Sequence, residues 1–312
     1  MVHRVFIDGA IGTTGLEIGE RLATRPEFAL ITLDEASRKD ATARAEALNA
    51  ADVAILCLPD DAAREAVAMV DPAGPTRIID ASTAHRTAPG WTYGFPEIVG
   101  REAIAAARRV ANPGCYPTGF LALLAPLVGA GLLPRDWPYT VHAVSGYSGG
   151  GKALIERFAR EPDIAWRGYA LGGGHKHVAE MQRIAGLAHP PVFSPAVVAA
   201  HRGMAVEVPL ALAAMPGAAS PAALRDALAA HYAGSRVVRV HDSEAAAAPD
   251  ELLLRRGAAA SDALDLFVFG SADDGQARMV ALLDNLGKGA SGAAIQSLNL
   301  MAGLDEATGL IV

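Results

Sequence analysis

The chain has 312 residues, 51% of them hydrophobic and 20% charged, with a formal net charge of -7. That size predicts two folded domains, and the acidic balance, with no basic run and few aromatic residues, argues against nucleic acid as a partner. Two cysteines, Cys57 and Cys115, are too few for a disulfide framework and fit a reducing compartment.

The chain enters a strand pattern at Arg4 with no signal-peptide profile before it. The longest apolar stretch, Phe120 to Leu133, contains Pro126 and two glycines and is too short to span a bilayer. A cytoplasmic protein with no membrane partner is expected.

Arg4 to Asp8 reads as a short buried strand. Gly9-Ala10-Ile11-Gly12-Thr13-Thr14-Gly15 follows at once, and helical spacing runs from Leu16 to Leu22. A glycine turn between a strand and a helix lets backbone N–H groups approach a pyrophosphate at the helix N-terminus. Gly9, Gly12, Thr13, Thr14 and Gly15 are therefore candidate cofactor contacts. The second strand, Phe28 to Leu33, ends where such folds choose between a bare ribose and its 2′-phosphate. Asp34 and Glu35 stand there, but Ser37-Arg38-Lys39 follows, and two cations beside a hydroxyl suit the phosphate of NADP.

The alternation continues with a helix over Asp40 to Asn49 and an apolar strand over Asp52 to Leu58, which places Cys57 in the core. A helix opens at Pro59-Asp60-Asp61 and runs to about Val70, and Arg77 to Asp80 forms a fourth strand. Its carboxyl end feeds the polar loop Ala81-Ser82-Thr83-Ala84-His85-Arg86, where open α/β sheets keep ligands. Arg86 reads either as a forked anion contact or as a surface arginine. A helix over Glu97 to Ala107 and a strand over Arg108 to Ala111 then deliver the chain to Asn112-Pro113-Gly114-Cys115-Tyr116-Pro117-Thr118.

In this stretch Pro113-Gly114 forces a tight turn, and Pro117 suits the first turn of a helix that runs to Ala130. Cys115 is placed just before that helix, where N–H groups and the helix dipole favour a thiolate. The residue is either a nucleophile or a small buried hydrophobe.

Beyond it the pattern turns β-rich: Tyr139 to Ser145, Ala205 to Leu210, Arg236 to His241, Leu264 to Gly270 and Ala277 to Leu283. The last two flank residues 271–276 as an antiparallel hairpin. One helix carries Ser220 as N-cap, Pro221 at N1 and Gly234 as C′. A mixed sheet with helices on one face is the expected α+β architecture. Two polar clusters interrupt it. Ser145-Gly146-Tyr147-Ser148-Gly149-Gly150-Gly151-Lys152 can wrap an anion or a nicotinamide ring. Gly172-Gly173-Gly174-His175-Lys176-His177-Val178-Ala179-Glu180 offers an imidazole base for a thiol, or zinc ligands whose spacing fits no strong metal signature.

Taken together, these residues resemble the N-acetyl-gamma-glutamyl-phosphate reductases in their shorter form, relatives of aspartate-semialdehyde dehydrogenase. Asn112 to Thr118 is similar to the family's active-site signature. Gly9 to Gly15, Tyr93 to Glu97, Ser145 to Lys152, His175 with His177 and Glu180, and Asp284 to Gly292 match as well. Thr13 stands where the longer form carries an aromatic residue. Ala84-His85-Arg86 replaces an Ala-Asp-Phe-Arg pattern, and Lys152 an arginine.

The resemblance implies a Rossmann-type NADP-binding domain over 1–115, completed by a C-terminal segment over 285–312. A catalytic and oligomerisation domain would occupy 116–284. It also implies an acyl-phosphate substrate reduced in arginine biosynthesis, with aspartate semialdehyde or a lysine-pathway acyl phosphate as the alternative. Cys115 would be the nucleophile and His177 or His175, with Glu180, the base. Arg86, Ser148 and Ser145 would bind substrate, and Asn285 would lie near the nicotinamide. No metal is expected. A homo-oligomer, a dimer or tetramer, is implied, and exposed hydrophobic strands such as Leu264 to Gly270 fit it.

Overall fold

A computed structural model describes residues 2–242, 251–271, 273 and 275–312. Ala272 and Asp274, in the expected hairpin turn, lie outside the described residues. The described residues form two compact units. One runs to Gly114 and takes up Ala290–Leu310, and the other comprises Cys115–Gly289 with Ile311–Val312.

The first unit alternates strands and helices: β1 (His3–Asp8), α1 (Thr13–Leu22), β2 (Phe28–Ile31), α2 (Ala41–Ala50), β3 (Val53–Leu56), α3 (Asp60–Met69), β4 (Arg77–Asp80), β5 (Thr92–Tyr93), α4 (Pro96–Val99), α5 (Arg101–Ala106) and β6 (Arg109–Ala111). The sheet is parallel in the order β2-β1-β3-β4-β6-β5. Strand side chains alternate, so each face has its own core. Val5 and Ile7 point into one cluster with Ile18, Ile104 and Leu298, whereas Phe6 points into the other with Leu48 and Ala66. That two-faced burial explains the unbroken apolar strands. The helix expected over 97–107 is two helices, because Gly100 at φ 92° breaks it.

The second unit contains α6 (Cys115–Gly129), β7 (Thr140–Gly146), α7 (Gly151–Arg160), β8 (Trp166–Gly168), α8 (His177–Ile184), β9 (Val192–Val198), β10 (Met204–Leu210), α9 (Pro221–His231), β11 (Val238–Val240), β12 (Leu264–Phe269) and β13 (Ala277–Leu283). Its mixed sheet is ordered β11-β12-β13-β10-β7-β9-β8. β12 and β13 pair antiparallel as expected from the sequence. α6 is apolar nearly all round and packs on β10 and β13, with α8 and α9 beside it. Gly119 permits the approach, since a Cβ there would lie 2.8 Å from Val206.

Three expectations are corrected in this unit. The strand from Leu264 is not exposed: β12 lies inside the sheet between β11 and β13, and α9 and α6 pack on it, with Leu264 and Leu266 at 0% exposure. Ser220 does cap α9 through the Ala223 amide, but the helix ends at His231 with Tyr232 as C-cap, so Gly234 stands one residue past C′. β9 was not apparent in the sequence pattern, since Pro195 inside a strand argues against one.

After β13 a π-turn at 287–291 leads to α10 (Gly292–Met301), which belongs to the first unit. Its side chains Ala294, Ile295 and Leu298 enter the first core, and Arg77 at the start of β4 donates to the Met301 carbonyl at 2.6 Å. Leu298→Ala is expected to destabilise the first unit by about 2–5 kcal/mol through lost burial and a residual cavity. Urea unfolding followed by circular dichroism reads this as a lowered midpoint. An unchanged midpoint would show that α10 is dispensable to the unit's core.

Candidate active site

The first unit presents a cleft of about 610 Å³ at the carboxyl ends of β1, β2 and β3. Its floor is the glycine turn. Gly9 has φ +89°, and any Cβ there would collide with the Cys57 carbonyl; one on Gly15 would collide with the Gly9 carbonyl. Gly12 meets nothing closer than 3.4 Å and is the N-cap of α1. Two of the glycines are therefore fixed by packing, and the third leaves the helix start open to a phosphate. Gly9, Gly12, Gly15, Arg38 and Lys39 all line the cleft; Thr13 and Thr14 are the first two residues of α1 and do not line it.

The acids near Arg38 are occupied. Asp34 accepts from the Ser37 amide at 2.8 Å, and Glu35 pairs with Arg38 Nη2 at 2.9 Å. Arg38 Nε is buried and has no partner among the described residues. A cation with an unused donor at the end of β2 fits the 2′-phosphate of NADP.

Sequence reasoning missed Arg44. From α2 it reaches Asp8, the last residue of β1, with Nε at 3.1 Å and Nη2 at 2.8 Å from Oδ2, and it lines the same cleft. A buried carboxylate directly before a phosphate-binding turn needs a cation, and that need was the available signal. Cys57 packs against the core as expected, but it lies one residue past β3 and also lines the cleft. Burial, with Asp80 and Asp8 nearby, pushes its thiol up to about 12, so it stays protonated and unreactive.

In the loop after β4, Asp80 is wholly buried and accepts from the Ser82 amide at 2.9 Å, the Ser82 hydroxyl at 2.8 Å and His85 Nδ1 at 2.6 Å. His85 stacks on Trp91 with ring centroids 4.2 Å apart. Arg86 donates to the carbonyls of Asn112 at 3.0 Å and Ala81 at 3.2 Å. It thereby braces the turn that carries the chain to Cys115.

Cys115 is the first residue of α6 rather than the residue before it. The turn closes into the helix one residue early, which places the sulfur in the first helical turn, where the dipole acts on it. A Cβ on Gly289 would stand 2.9 Å from Cys115 Cβ, so the π-turn packs directly on the cysteine.

Tyr116 follows Cys115, and around its side chain the structure gathers Tyr169, His175 and His177. The Tyr116 ring lies 5.9 Å from His177 and 6.2 Å from His175, and the two imidazoles are 4.7 Å apart. Tyr116 donates to the Ala196 carbonyl at 3.0 Å, and Tyr169 donates to the Tyr116 oxygen at 3.4 Å. Burial foremost, then Tyr169 and Cys115, pushes the Tyr116 phenol far up, and burial also raises Tyr169. Both phenols stay protonated at neutral pH.

The two histidines differ. His175 Nδ1 accepts the His177 backbone N–H at 3.1 Å, so its remaining proton sits on Nε2. Burial, and then the Lys176 charge, lowers its pKa to about 4. His177 is buried at the start of α8, and buried Glu180 follows three residues on in the same helix.

Ser145 and Ser148 are both buried. Ser148 Oγ accepts from Asn285 Nδ2 at 2.9 Å, and Asn285 Oδ1 accepts the Gly203 amide at 2.9 Å. The amide of Asn285 is thus a strut within the second unit. Among the described residues no group of three or more His, Cys, Asp or Glu is placed to hold a metal ion, and no helix is long and apolar enough to cross a membrane.

A nucleotide cleft in one unit and a cysteine at a helix start in the other define the semialdehyde dehydrogenase class. The family model for the semialdehyde dehydrogenase NAD binding domain matches residues 4–107, and that for the semialdehyde dehydrogenase dimerisation domain matches 115–285. Aspartate semialdehyde dehydrogenase II from Vibrio cholerae superposes with a TM-score of 0.71 at 18% identity, covering 97% of this chain and 99% of that one. The Candida albicans enzyme with NADP gives 0.62 at 16%, covering 97% and 99%. These show a shared fold.

Within the class, sequence is more specific. N-acetyl-gamma-glutamyl-phosphate reductase of Burkholderia ambifaria is 53% identical, covering 97% of both chains. That of Brucella ovis is 51% identical, covering 97% of this chain and 100% of the relative. The chain belongs to the N-acetyl-gamma-glutamyl-phosphate reductase family.

The unfolded His175 takes up a proton near pH 6.5 and the folded one near pH 4. The stability this ring contributes is complete above pH 6.5 and is lost as pH falls toward 4. In an NMR titration its ring signals are expected to stay unshifted from about pH 8 to about pH 5.5. A midpoint near 6.5 would contradict the buried, neutral assignment.

Proposed function

We propose that the chain catalyses NADPH-dependent reduction of N-acetyl-glutamyl 5-phosphate to N-acetyl-glutamate 5-semialdehyde and phosphate, a step of arginine biosynthesis. The observation that carries this reading is Cys115 in the first turn of α6, followed by Tyr116, whose ring lies beside both histidines, in a chain about half identical to reductases of that name. The first unit holds NADP through the glycine turn, Arg38 and Lys39. The second carries the thiol chemistry.

His177 takes the Cys115 proton, and the thiolate attacks the acyl carbon. A carbon–sulfur bond forms, the carbon–oxygen bond to phosphate breaks, and a thioester remains on Cys115. NADPH, when bound, supplies the hydride that reduces this thioester. The resulting hemithioacetal collapses to aldehyde as the carbon–sulfur bond breaks. The proton on His177 returns to sulfur, and the departing phosphate draws its own from solvent. Backbone N–H groups of Cys115 and Tyr116 at the start of α6 stabilise the developing oxyanion, and Glu180 orients His177. Ser148 and Ser145 are the second unit's candidates to hold the phosphoryl group, and Arg86 is the first unit's candidate anion contact.

His177 is preferred to His175 as base because the latter has its acceptor nitrogen engaged and a pKa of about 4. The protein is placed in the cytoplasm and associates with copies of itself through residues 115–285, the stretch matched by a dimerisation-domain model.

In the reverse direction, N-acetyl-glutamate semialdehyde, NADP+ and phosphate should yield NADPH, with aspartate semialdehyde a poor substitute. Cys115→Ser should abolish turnover, and His177→Asn should lower kcat by about 100- to 10,000-fold, with a smaller loss for His175→Asn. Near-normal turnover of Cys115→Ser, or equal and mild losses at both histidines, would refute the mechanism.

A further inference from the structure

Arg167 is the middle residue of β8, the strand at one edge of the second unit's sheet. Alternate positions of a strand share a face, and two residues on the Tyr169 ring lies under the guanidinium, whose carbon is 4.9 Å from the ring centroid. Arg167 is half-buried, yet it makes no hydrogen bond or ion pair among the described residues. Other arginines are spent: Arg202 on Asp284, and Arg86 on the carbonyls of Asn112 and Ala81.

Tyr169 ties this cation to the thiol site. Its hydroxyl donates at 3.4 Å to Tyr116, the residue after Cys115, and its ring meets His175 edge-on with centroids 5.6 Å apart. Burial foremost raises the Tyr169 phenol, with Cys115 adding to the rise and Arg167 opposing it. One ring therefore lies within electrostatic reach of both the sulfur and the guanidinium.

A planar fork of donors, partly stripped of water by an aromatic face, matches a carboxylate through two parallel bonds. The proposed substrate carries that group: its α-carboxylate stands at the end of the carbon chain opposite the acyl phosphate, and it needs a cation once it leaves water. Lys176 is the other cation of this stretch, but it is exposed and offers a point charge without a fork.

We infer that Arg167 binds the α-carboxylate of the substrate as a forked ion pair, and so selects acyl phosphates and aldehydes that carry an acid at the far end of the chain. The assignment rests on the proposed reaction and adds the residue that reads the substrate's other end.

Steady-state kinetics in the reverse direction, with NADP+ and phosphate, test it. Two aldehydes serve: N-acetyl-glutamate semialdehyde, and 4-acetamidobutanal, the same chain without the carboxylate. Wild-type kcat/KM should favour the acid-bearing aldehyde by about 10- to 100-fold, the worth of a hydrogen bond to a charged group. Arg167→Gln should erase that preference by raising the KM of N-acetyl-glutamate semialdehyde, while kcat/KM for 4-acetamidobutanal stays within about twofold. Arg167→Lys should restore part of the preference, and Lys176→Gln should leave it intact.

Equal wild-type kcat/KM for the two aldehydes would overturn the assignment, whether or not any variant folds. So would an Arg167→Gln variant that keeps the preference, or one that loses both aldehydes in proportion, as a purely structural role requires. Loss of the preference in Lys176→Gln would hand the contact to Lys176, and a rise confined to the KM of phosphate would move Arg167 to the phosphoryl group; each overturns it. Wild-type turnover of aspartate semialdehyde in preference to N-acetyl-glutamate semialdehyde would instead overturn the proposed reaction, a result set by the substrate and not by any variant of Arg167.

Discussion

A carboxylate with no exposed surface is tolerated only when its oxygens are bonded, and Asp80 meets that condition with three donors from its own loop. The consequences spread along the sheet. By holding Ser82 and His85, Asp80 gives residues 81–86 a fixed path, and the stacked Trp91 closes the other side of the imidazole. Arg86 leaves that loop aimed at the Asn112 carbonyl, while the Asp80 carbonyl receives the Asn112 amide. One buried residue at the end of β4 therefore sets the geometry at the end of β6, where the chain turns toward Cys115.

The second unit follows the same economy with different groups. Asp284 is buried against Arg202 at 2.9 Å and accepts the Leu286 amide, so the chain leaving β13 is held where it bends into the π-turn. Asn285 links that bend to Ser148 and to Gly203 at the start of β10. Residues whose type suggests ligand contact are thus partly committed to holding the glycine loop after β7. Side chains that could meet a ligand thus also hold the loop in place.

What could be read in advance was what short range dictates. The glycine turn, the proline-glycine turn before Cys115, the cap at Ser220 and the β12–β13 pairing all depend on neighbours within a few positions, so spacing revealed them. Long-range features did not declare themselves. β9 contains Pro195, β8 is three residues long, and β12 reads as a surface strand although β11 and β13 flank it and α9 and α6 pack on it. Likewise, the Asp8–Arg44 pair spans 36 positions and the Asn112–Ala290 bond spans 178. The residue types around Cys115 were legible, but which of their atoms remain available was not.

The histidine pair shows why availability matters more than identity. A neutral imidazole has one acceptor nitrogen, and a base needs that nitrogen for the incoming proton. In His175 it is engaged by the backbone of His177, and burial beside Lys176 further disfavours the charged ring. Protonating His175 would both break the bond that starts α8 and place a second cation next to Lys176. Tyr116 and Tyr169 are no substitute, since burial keeps both phenols protonated and one is bonded to a main-chain carbonyl. The cluster is thereby divided by physics rather than by position in the chain. His175 and the two phenols are held neutral by burial and by the bonds they make, and under the proposed mechanism the proton of the thiol passes to His177.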